Sequence, residues 1–591
     1  MTSEAPGRPK RRRVRLVLLS VGALVAVALA AAAWVGVRGW LAKGELEAAA
    51  DAAGSVMSAM SAQDRPAAVR EAERLDEHAS EAAALTGDPV WAAAQVIPWI
   101  GDDLRAVGAM AAALAKVSAE AVLPLSTTVA DLDAESLRDP EGRMDIDRIA
   151  ASAPVVHRAA TAIGVAADEV AAIPSRGLLG PVAGARTRFL GALTEASTVA
   201  RGADDALTFI PAALGQDAPR QYLMLSLNNA ELRTAGGIAG AIALVRIDGG
   251  RLTIVRQAST SDFAKFDPPL AVDQGMRSVF GDDIGSYIQN TTMTPDFAET
   301  GELTAAMWQR VFGDRIDGVV ALDPVALSYL LQSTGLVTVD GADPIDAANA
   351  VSRLLVEPYQ DPTFEQAARD RYFSSIAAGT FDAMLHESVD LGTLAWAVAE
   401  AGAEHRISMW SADAGEQAML ERSPFSGLLA AQAEAGPQTY GVYLNDTTAA
   451  KLDPYLDVAI DVGAVQTRAD AHGDVTVRVT LTDAVTPADL ARMPIDASGA
   501  YREGYGNGRI TTIVTVRAPD GAFNGGVFID GVPVPSLARD VAGATTSSLT
   551  VDLEPGEQAI VEFRFVSAEP SQTEPHVVHT PLFAPLEVGA L

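Results

Sequence analysis

Asn228-Asn229-Ala230-Glu231-Leu232-Arg233-Thr234-Ala235-Gly236-Gly237 is the densest run of potentially reactive side chains in the sequence. An arginine brings a permanently charged planar fork that suits phosphate or carboxylate. A glycine pair lets main-chain N–H groups come close to an anion. Asn228, Arg233, Gly236 and Gly237 are therefore the first ligand-binding candidates. No Gly-Lys-Ser/Thr follows, so this is not a Walker loop, and the glycine spacing does not fit a dinucleotide fingerprint. A structural turn, with Arg233 paired to Glu231 or another acid, accounts for the same residues.

Other reactive types are more scattered. Asp262, Asp267, Asp282, Asp283 and Asp296 could offer oxygen ligands to a hard cation, although scattered acids in so acidic a chain are usually just solvated surface. The seven histidines show no metal spacing; His576 and His579 are close but lack a third ligand. There is no Gly-x-Ser-x-Gly around a serine and no His-Glu-x-x-His. With no cysteine, disulfides, thiolate catalysis and Cys-based metal sites are excluded.

The elements that must position these residues begin with a membrane segment. Arg8, Lys10, Arg11, Arg12, Arg13 and Arg15 precede Leu16–Val37, which carries no charge. That run is long enough to cross a hydrocarbon core of about 30 Å as a helix. The basic flank predicts a cytoplasmic N-terminus and an exported remainder, with Trp34 and Trp40 at the membrane boundary. A cleaved signal peptide with Ala31-Ala32-Ala33 as its processing site is the alternative, although the apolar run exceeds a usual h-region.

The whole chain of 591 residues has a net charge of −32; residues 1–15 carry six positive charges and one negative, which leaves −37 on the rest. That sign opposes nucleic acid and anionic lipid, so no nucleic-acid partner is expected. Five lysines against 39 arginines, with abundant alanine and glycine, suggest a GC-rich bacterial genome.

The expected organisation is multi-domain α+β. Residues 1–15 form a basic tail, 16–37 the membrane helix, and 41–210 a helical stalk or bundle. An α/β layered domain spans 218–402 and a β-rich domain 403–591, the latter read as an antiparallel sandwich. In the stalk, apolar residues recur at three- and four-residue steps, Pro98 and Gly101 separate two helices, and Pro124 ends another. Trp91 and Trp99 beside that break read as packing anchors. Ala241–Ile247 and Leu252–Gln257, joined by Asp248-Gly249-Gly250, predict a hairpin. Strands are also expected at Tyr222–Leu227, Gly318–Leu322 and Leu336–Val339, and helices at Pro324–Thr334, Asn349–Val356, Phe364–Leu385 and Leu391–Ala401. From Arg406 the pattern turns to strands, beginning with Ile407–Trp410.

Several separate motifs resemble the DUF4012 family of membrane-anchored bacterial proteins. These are Asn228–Ile238, Thr292-Met293-Thr294-Pro295-Asp296-Phe297, Met307-Trp308, Asp317–Pro324 and Tyr443-Leu444-Asn445-Asp446, in order. Arg233-Thr234-Ala235-Gly236-Gly237 stands where that family commonly has Arg-Pro-Thr-Gly-Gly or Arg-Ala-Thr-Gly-Gly. The order of elements over 220–385 also resembles the LytR-CpsA-Psr cell-wall ligases. This second resemblance implies a single-anchor exported protein acting on polyprenyl-pyrophosphate-linked glycans with Mg²⁺ and arginines. Ser261-Asp262 lacks a preceding arginine, with Arg256 the nearest upstream, and Arg371 falls near an Arg-Gln pair that contacts pyrophosphate in those ligases. Gly240-Ala241 replaces the Asp-Thr metal site. On this basis Arg233 and Arg371 would neutralise a pyrophosphate, Asp262 and Asp296 would hold a metal, and Arg256 is a further ligand-binding candidate. Two functions follow: a binding protein for wall polymer or an envelope partner, or a ligase-like phosphotransferase. Convergence of Arg233, Asp262, Asp296 and Arg371 on one crevice is the structural expectation.

Overall fold

The computed structural model describes residues 10–591 apart from 63, 132–142, 339–342, 362, 366–367, 370, 374, 377–378, 381–382, 384–388, 449, 471, 501–506 and 569–573. Two compact units emerge: Met1–Leu137 with Asp147–Pro211, and Arg138–Ile146 with Ala212–Leu591.

The first unit is helical. α1 (Lys10–Ser61) is one continuous helix of 52 residues. Its portion from Leu18 is long and apolar enough to span a membrane, and includes an 18-residue stretch with a mean hydropathy of 2.4 that is almost entirely unburied. α2 (Arg65–Thr86) returns antiparallel to it. Arg38 of α1 donates to the carbonyls of Ala84 and Leu85, Glu45 meets His78 at 2.7 Å, and Ala49 and Ala52 pack on Leu75. The seam is lined with alanines such as Ala42, Ala72, Ala79 and Ala82, so the two backbones lie close together.

α3 (Pro89–Ala94) and α4 (Gly101–Val117) follow, separated where Pro98 and Gly101 predict a break. Pro124 does not end a helix. A π turn at Ser118–Val122 runs directly into α5 (Leu123–Asp131), with Pro124 in its first turn. There the missing N–H and the ring are tolerated. α6 (Ile146–Ala171) and α7 (Gly180–Ala213) complete the bundle; Met110, Val117, Ile163, Val170 and Leu193 share one core. Gly101–Thr128 and Ile146–Ala171 are also long and apolar enough to cross a membrane.

The described residues of the second unit form three sheets. The first has the order β3-β2-β1-β4-β5, built from β1 (Arg220–Asn228), β2 (Ile238–Asp248), β3 (Arg251–Ser259), β4 (Gly318–Leu322) and β5 (Ile407–Ser411). The hairpin of β2 and β3 forms as the Asp-Gly-Gly turn predicts. β1 and β4 are parallel, so their carboxyl ends lie side by side. Alternation along β4 serves two layers. Val319 and Ala321 join the core of α10 (Phe297–Phe312), while Val320 and Leu322 pack toward α11 (Pro324–Thr334) and α13 (Leu391–Ala403). Between β3 and α10 lie α8 (Gln274–Phe280) and the single turn α9 (Asp283–Ser286); α12 (Ala350–Leu355) follows α11.

Ile407–Trp410 was expected to open the β-rich region. It instead pairs antiparallel with β4 as the edge of the first sheet. The residue pattern identifies a strand, and its partner is set by the long-range core. Leu336–Val339 reduces to a single bridge, Val337 with Ile345, and its last residue lies outside the described set. The helix expected at Phe364–Leu385 falls partly outside the described residues; 371–373 are helical.

Two short helices, α14 (Ala414–Leu420) and α15 (Leu428–Glu434), lead into the β-rich part. Its strands are β6 (Thr439–Asp446), β7 (Leu456–Thr467), β8 (Gly473–Asp483), β9 (Ile510–Arg517), β10 (Phe523–Ile529), β11 (Val532–Val534), β12 (Leu537–Val541), β13 (Ala544–Leu553), β14 (Gln558–Val566), β15 (His576–His579) and β16 (Gly589–Ala590). They form sheets of order β11-β10-β14-β8-β7-β16 and β12-β13-β9-β6-β15. Tyr440, Val442 and Val516 of one sheet share a core with Val477, Val479 and Phe563 of the other. Most pairs are antiparallel, but β15 joins β6 and β16 joins β7 in parallel.

Candidate functional site

β1 ends at Asn228, and Asn228–Gly237 is a loop beyond that strand end, as the sequence predicts. Asn228 folds back on itself: its Oδ1 accepts the Ala230 N–H at 3.1 Å and its Nδ2 donates to the Tyr359 hydroxyl. The Gly236 N–H donates to the Arg233 carbonyl at 2.8 Å, and the Ile238 N–H to that of Glu231. Gly236 has φ +112°, and a Cβ on Gly237 would lie 2.3 Å from the Asn228 carbonyl oxygen. The glycine pair thus closes a tight turn on its own strand.

The loop is clasped by the end of β6. Asn445 accepts the Thr234 N–H at 3.0 Å and donates to the Thr234 hydroxyl at 2.9 Å and the Met293 carbonyl. The Asp446 N–H donates to the Leu232 carbonyl. Thr292 donates to the Gly237 carbonyl from the opposite side.

Arg233 sits inside this clasp. Its Nη1 donates to the carbonyls of Leu232 (2.9 Å) and Asp446 (2.7 Å), and its Nη2 to Asn290 Oδ1 at 3.3 Å. Burial lowers its pKa, opposed by the carboxylates of Asp446 and Asp453. The guanidinium remains charged at any physiological pH. The expected pairing of Arg233 with Glu231 does not form; Glu231 is bonded to Lys451. Burial pulls the Lys451 ammonium down to about 8, against the pull of Asp496 and Asp453. Asp453 accepts the Leu232 N–H, and burial, reinforced by Asp446, pushes its carboxyl well above the usual range.

The other nominated residues have separate partners. Arg256 on β3 lies 3.9 Å from Asp314 and over the Phe312 ring at 4.9 Å. Asp262 is exposed and caps the 3-10 turn Thr260–Asp262, accepting the Ser259 N–H at 2.8 Å. Asp296 is the N-cap of α10, accepting the Ala298 N–H; burial raises its pKa. Arg371 is exposed, whereas Arg369 is buried, pairs with Asp496 and lies over the Tyr359 ring. Among the described residues no hydrogen bond or ion pair joins Arg233, Asp262, Asp296 and Arg371 to one another. No three His, Asp or Glu residues among those described form a metal-holding group, so no chemical step is derived through Mg²⁺.

Residue-type reasoning overlooked a second polar chain beside the loop. Asn229 Nδ2 donates to Asp323 Oδ2 at 3.0 Å, linking the ends of the parallel strands β1 and β4. Asp323 caps α11 and pairs with buried Arg406 at 2.7 Å, which also donates to the Leu582 carbonyl. The Asp323-Pro324 step, a cap followed by an N1 proline, was the available signal.

A cleft of about 330 Å³ opens beside this chain, lined by Asn229, Leu232, Asp453, Asp457 and the segment Leu582–Leu586. Asn229 Oδ1 is buried without a hydrogen-bond partner. A wider groove lies along Asp343, Arg353, Glu357, Asp361, Phe364 and Tyr372, where Arg353 pairs with Asp343.

Residues 217–359 match the model of the DUF4012 family, described as a protein of unknown function. The match takes in the loop, the first four strands of the first sheet and α10 to α12. No curated protein matches the chain.

Proposed function

We propose that this DUF4012-family chain is a membrane-anchored, extracytoplasmic cell-envelope protein that binds wall polymer or an envelope partner without transferring phosphate. Arg233 carries the choice. The fixed charge that a pyrophosphate site would need is spent on two main-chain carbonyls and an asparagine inside the clasp. Half-buried in this position, Arg233 fastens the loop after β1 to the end of β6 through both Nη atoms, which leaves only its Nε without a hydrogen bond and no two-pronged fork for an anion.

The seat of binding is the cleft at Asn229, Asp453 and Phe583. It offers amide and carboxyl groups and an aromatic wall, a combination suited to sugar hydroxyls and a sugar's apolar face. The cytoplasm-in, single-anchor orientation rests on the basic flank of α1 and on the packing of α4 and α6 into a shared core.

Co-sedimentation of detergent-purified full-length protein with isolated cell wall tests this reading. Wild type is expected to pellet with wall, and Asp457→Ala with Phe583→Ala to remain in the supernatant with an unchanged thermal melt. Equal sedimentation of the variant removes the cleft from the proposal. Glycan release from a polyprenyl pyrophosphate carrier by the same protein with Mg²⁺ would favour the LytR-CpsA-Psr-like ligase instead.

A further inference from the structure

The corner between α3 and α4 breaks the ordinary rule for large apolar side chains. Val96 is 81% exposed, Ile97 48%, Trp99 93% and Ile100 43%. Trp99 also has φ +74°, a left-handed backbone that disfavours any side chain with a Cβ. Four adjacent apolar side chains turned outward on a strained turn gain nothing from the fold itself.

The partner is fixed by where the corner sits on α1. α2 descends α1 antiparallel, so its final turn meets Arg38. Asp88, just beyond it, pairs with Arg38 at 2.9 Å and accepts the Trp34 indole N–H at 3.2 Å. Trp91 is buried against Val35 and lies next to Gly39. Ala94 and Leu104 bracket the corner, and both belong to the same small core as Val35. Val35 lies inside the uncharged run Leu16–Val37. Residues 96–100 are therefore held at the depth where that run ends, the level at which the half-exposed Trp34 and the exposed Trp40 stand on α1.

We propose that Val96–Ile100 is a second membrane contact, a loop that dips into the interfacial layer of the bilayer beside α1. Tryptophan favours this layer because its ring is apolar and its N–H can stay hydrated. The corner extends the apolar surface of α1 laterally, and two footholds restrict the tilt and rotation of a single helix. The loop needs α1 to be in the membrane, so the inference rests on the anchor of the previous subsection.

The absence of cysteine makes the test direct. Single spin labels are placed at Val96→Cys, at Val25→Cys within the apolar run, and at Ser58→Cys, about 30 Å along α1 from Val37. The full-length protein is reconstituted in nanodiscs, and each label is challenged with a water-soluble and a lipid-soluble relaxant. The expected result is lipid-type relaxation at 25 and 96 and aqueous relaxation at 58. Lipid-type relaxation at 25 with aqueous relaxation at 96 overturns the loop and leaves the anchor standing. Aqueous relaxation at both overturns the anchor, and the loop falls with it. A Trp99→Ser variant should lose the shielding at 96 and keep that at 25; unchanged shielding at 96 would also count against the loop.

Discussion

The loop at Arg233 and the corner at Trp99 invert the usual distribution of side chains in opposite directions. One holds a permanent charge inside; the other holds an aromatic ring outside. At Arg233 the inversion is satisfied within the molecule, because carbonyls and an asparagine meet the guanidinium. At Trp99 no described residue covers the side chain: the residue is 93% exposed. The contrast separates two meanings of an unusual side chain. An enclosed charge whose two Nη atoms are met by the chain's own acceptors is a fastener, while an exposed aromatic points to something outside.

The sharpest way to break this comparison is Arg233→Ala. Its loss removes three charge-assisted hydrogen bonds at about 1.5–3 kcal/mol each, so a destabilisation of about 3–5 kcal/mol is expected in urea unfolding. Arg371→Ala, on the surface, should change stability by less than about 0.5 kcal/mol. Equal effects at the two arginines would show that Arg233 is not a fastener. A similar contrast separates the two tryptophans of the corner. Trp91→Ala should lose about 3–5 kcal/mol, and Trp99→Ala less than about 0.5 kcal/mol in detergent, by thermal melts of the full chain. Next in size is Asn445→Ala, which strips partners from Thr234 and Met293; about 1–3 kcal/mol is expected for buried groups left unpaired. Stability measurements matching wild type would mean that the clasp closes without it.

The smallest effect is a pH dependence at Asp483, at the end of β8. Burial pushes this carboxyl up to about 6, with the charges of Glu554 and Glu557 adding and the Val485 N–H opposing. Its folded pKa therefore lies above the unfolded value of about 3.9. The stabilising contribution of protonation is complete below about pH 4 and lost as pH rises through about 6. Asp483→Asn should accordingly be more stable than wild type at pH 7–8, with the difference vanishing near pH 4. A constant difference across that range would place the pKa elsewhere.

Local patterns were readable in the sequence; long-range arrivals were not. The β2–β3 hairpin is written in alternation and an Asp-Gly-Gly turn, and the loop after β1 in its glycines and asparagines. The residue type at Arg233 was found, but its partners include Asn290 and the Asp446 carbonyl, the latter more than two hundred positions away, and no local pattern announces that meeting. β5 was recognisable as a strand and assigned to the wrong sheet for the same reason. Trp91 and Trp99 looked alike as packing anchors. Only the fold separates them, since Trp91 meets Val35 and Trp99 turns away.

The pairing of β15 and β16 has a consequence for how the chain is made. His576 pairs with Thr439, and Gly589 with Asp461. The same stretch supplies the Leu582 carbonyl to Arg406. One short segment thus closes both β-rich sheets and completes the buried arginine of the first sheet. A ribosome or translocase delivers that segment after everything it fastens, and such distant pairings are slow to form. The second unit must wait, with its arginine still hydrated and two strand edges open, until residue 590 has emerged. This is the interval in which the nascent chain is most vulnerable to proteases and to other copies of itself.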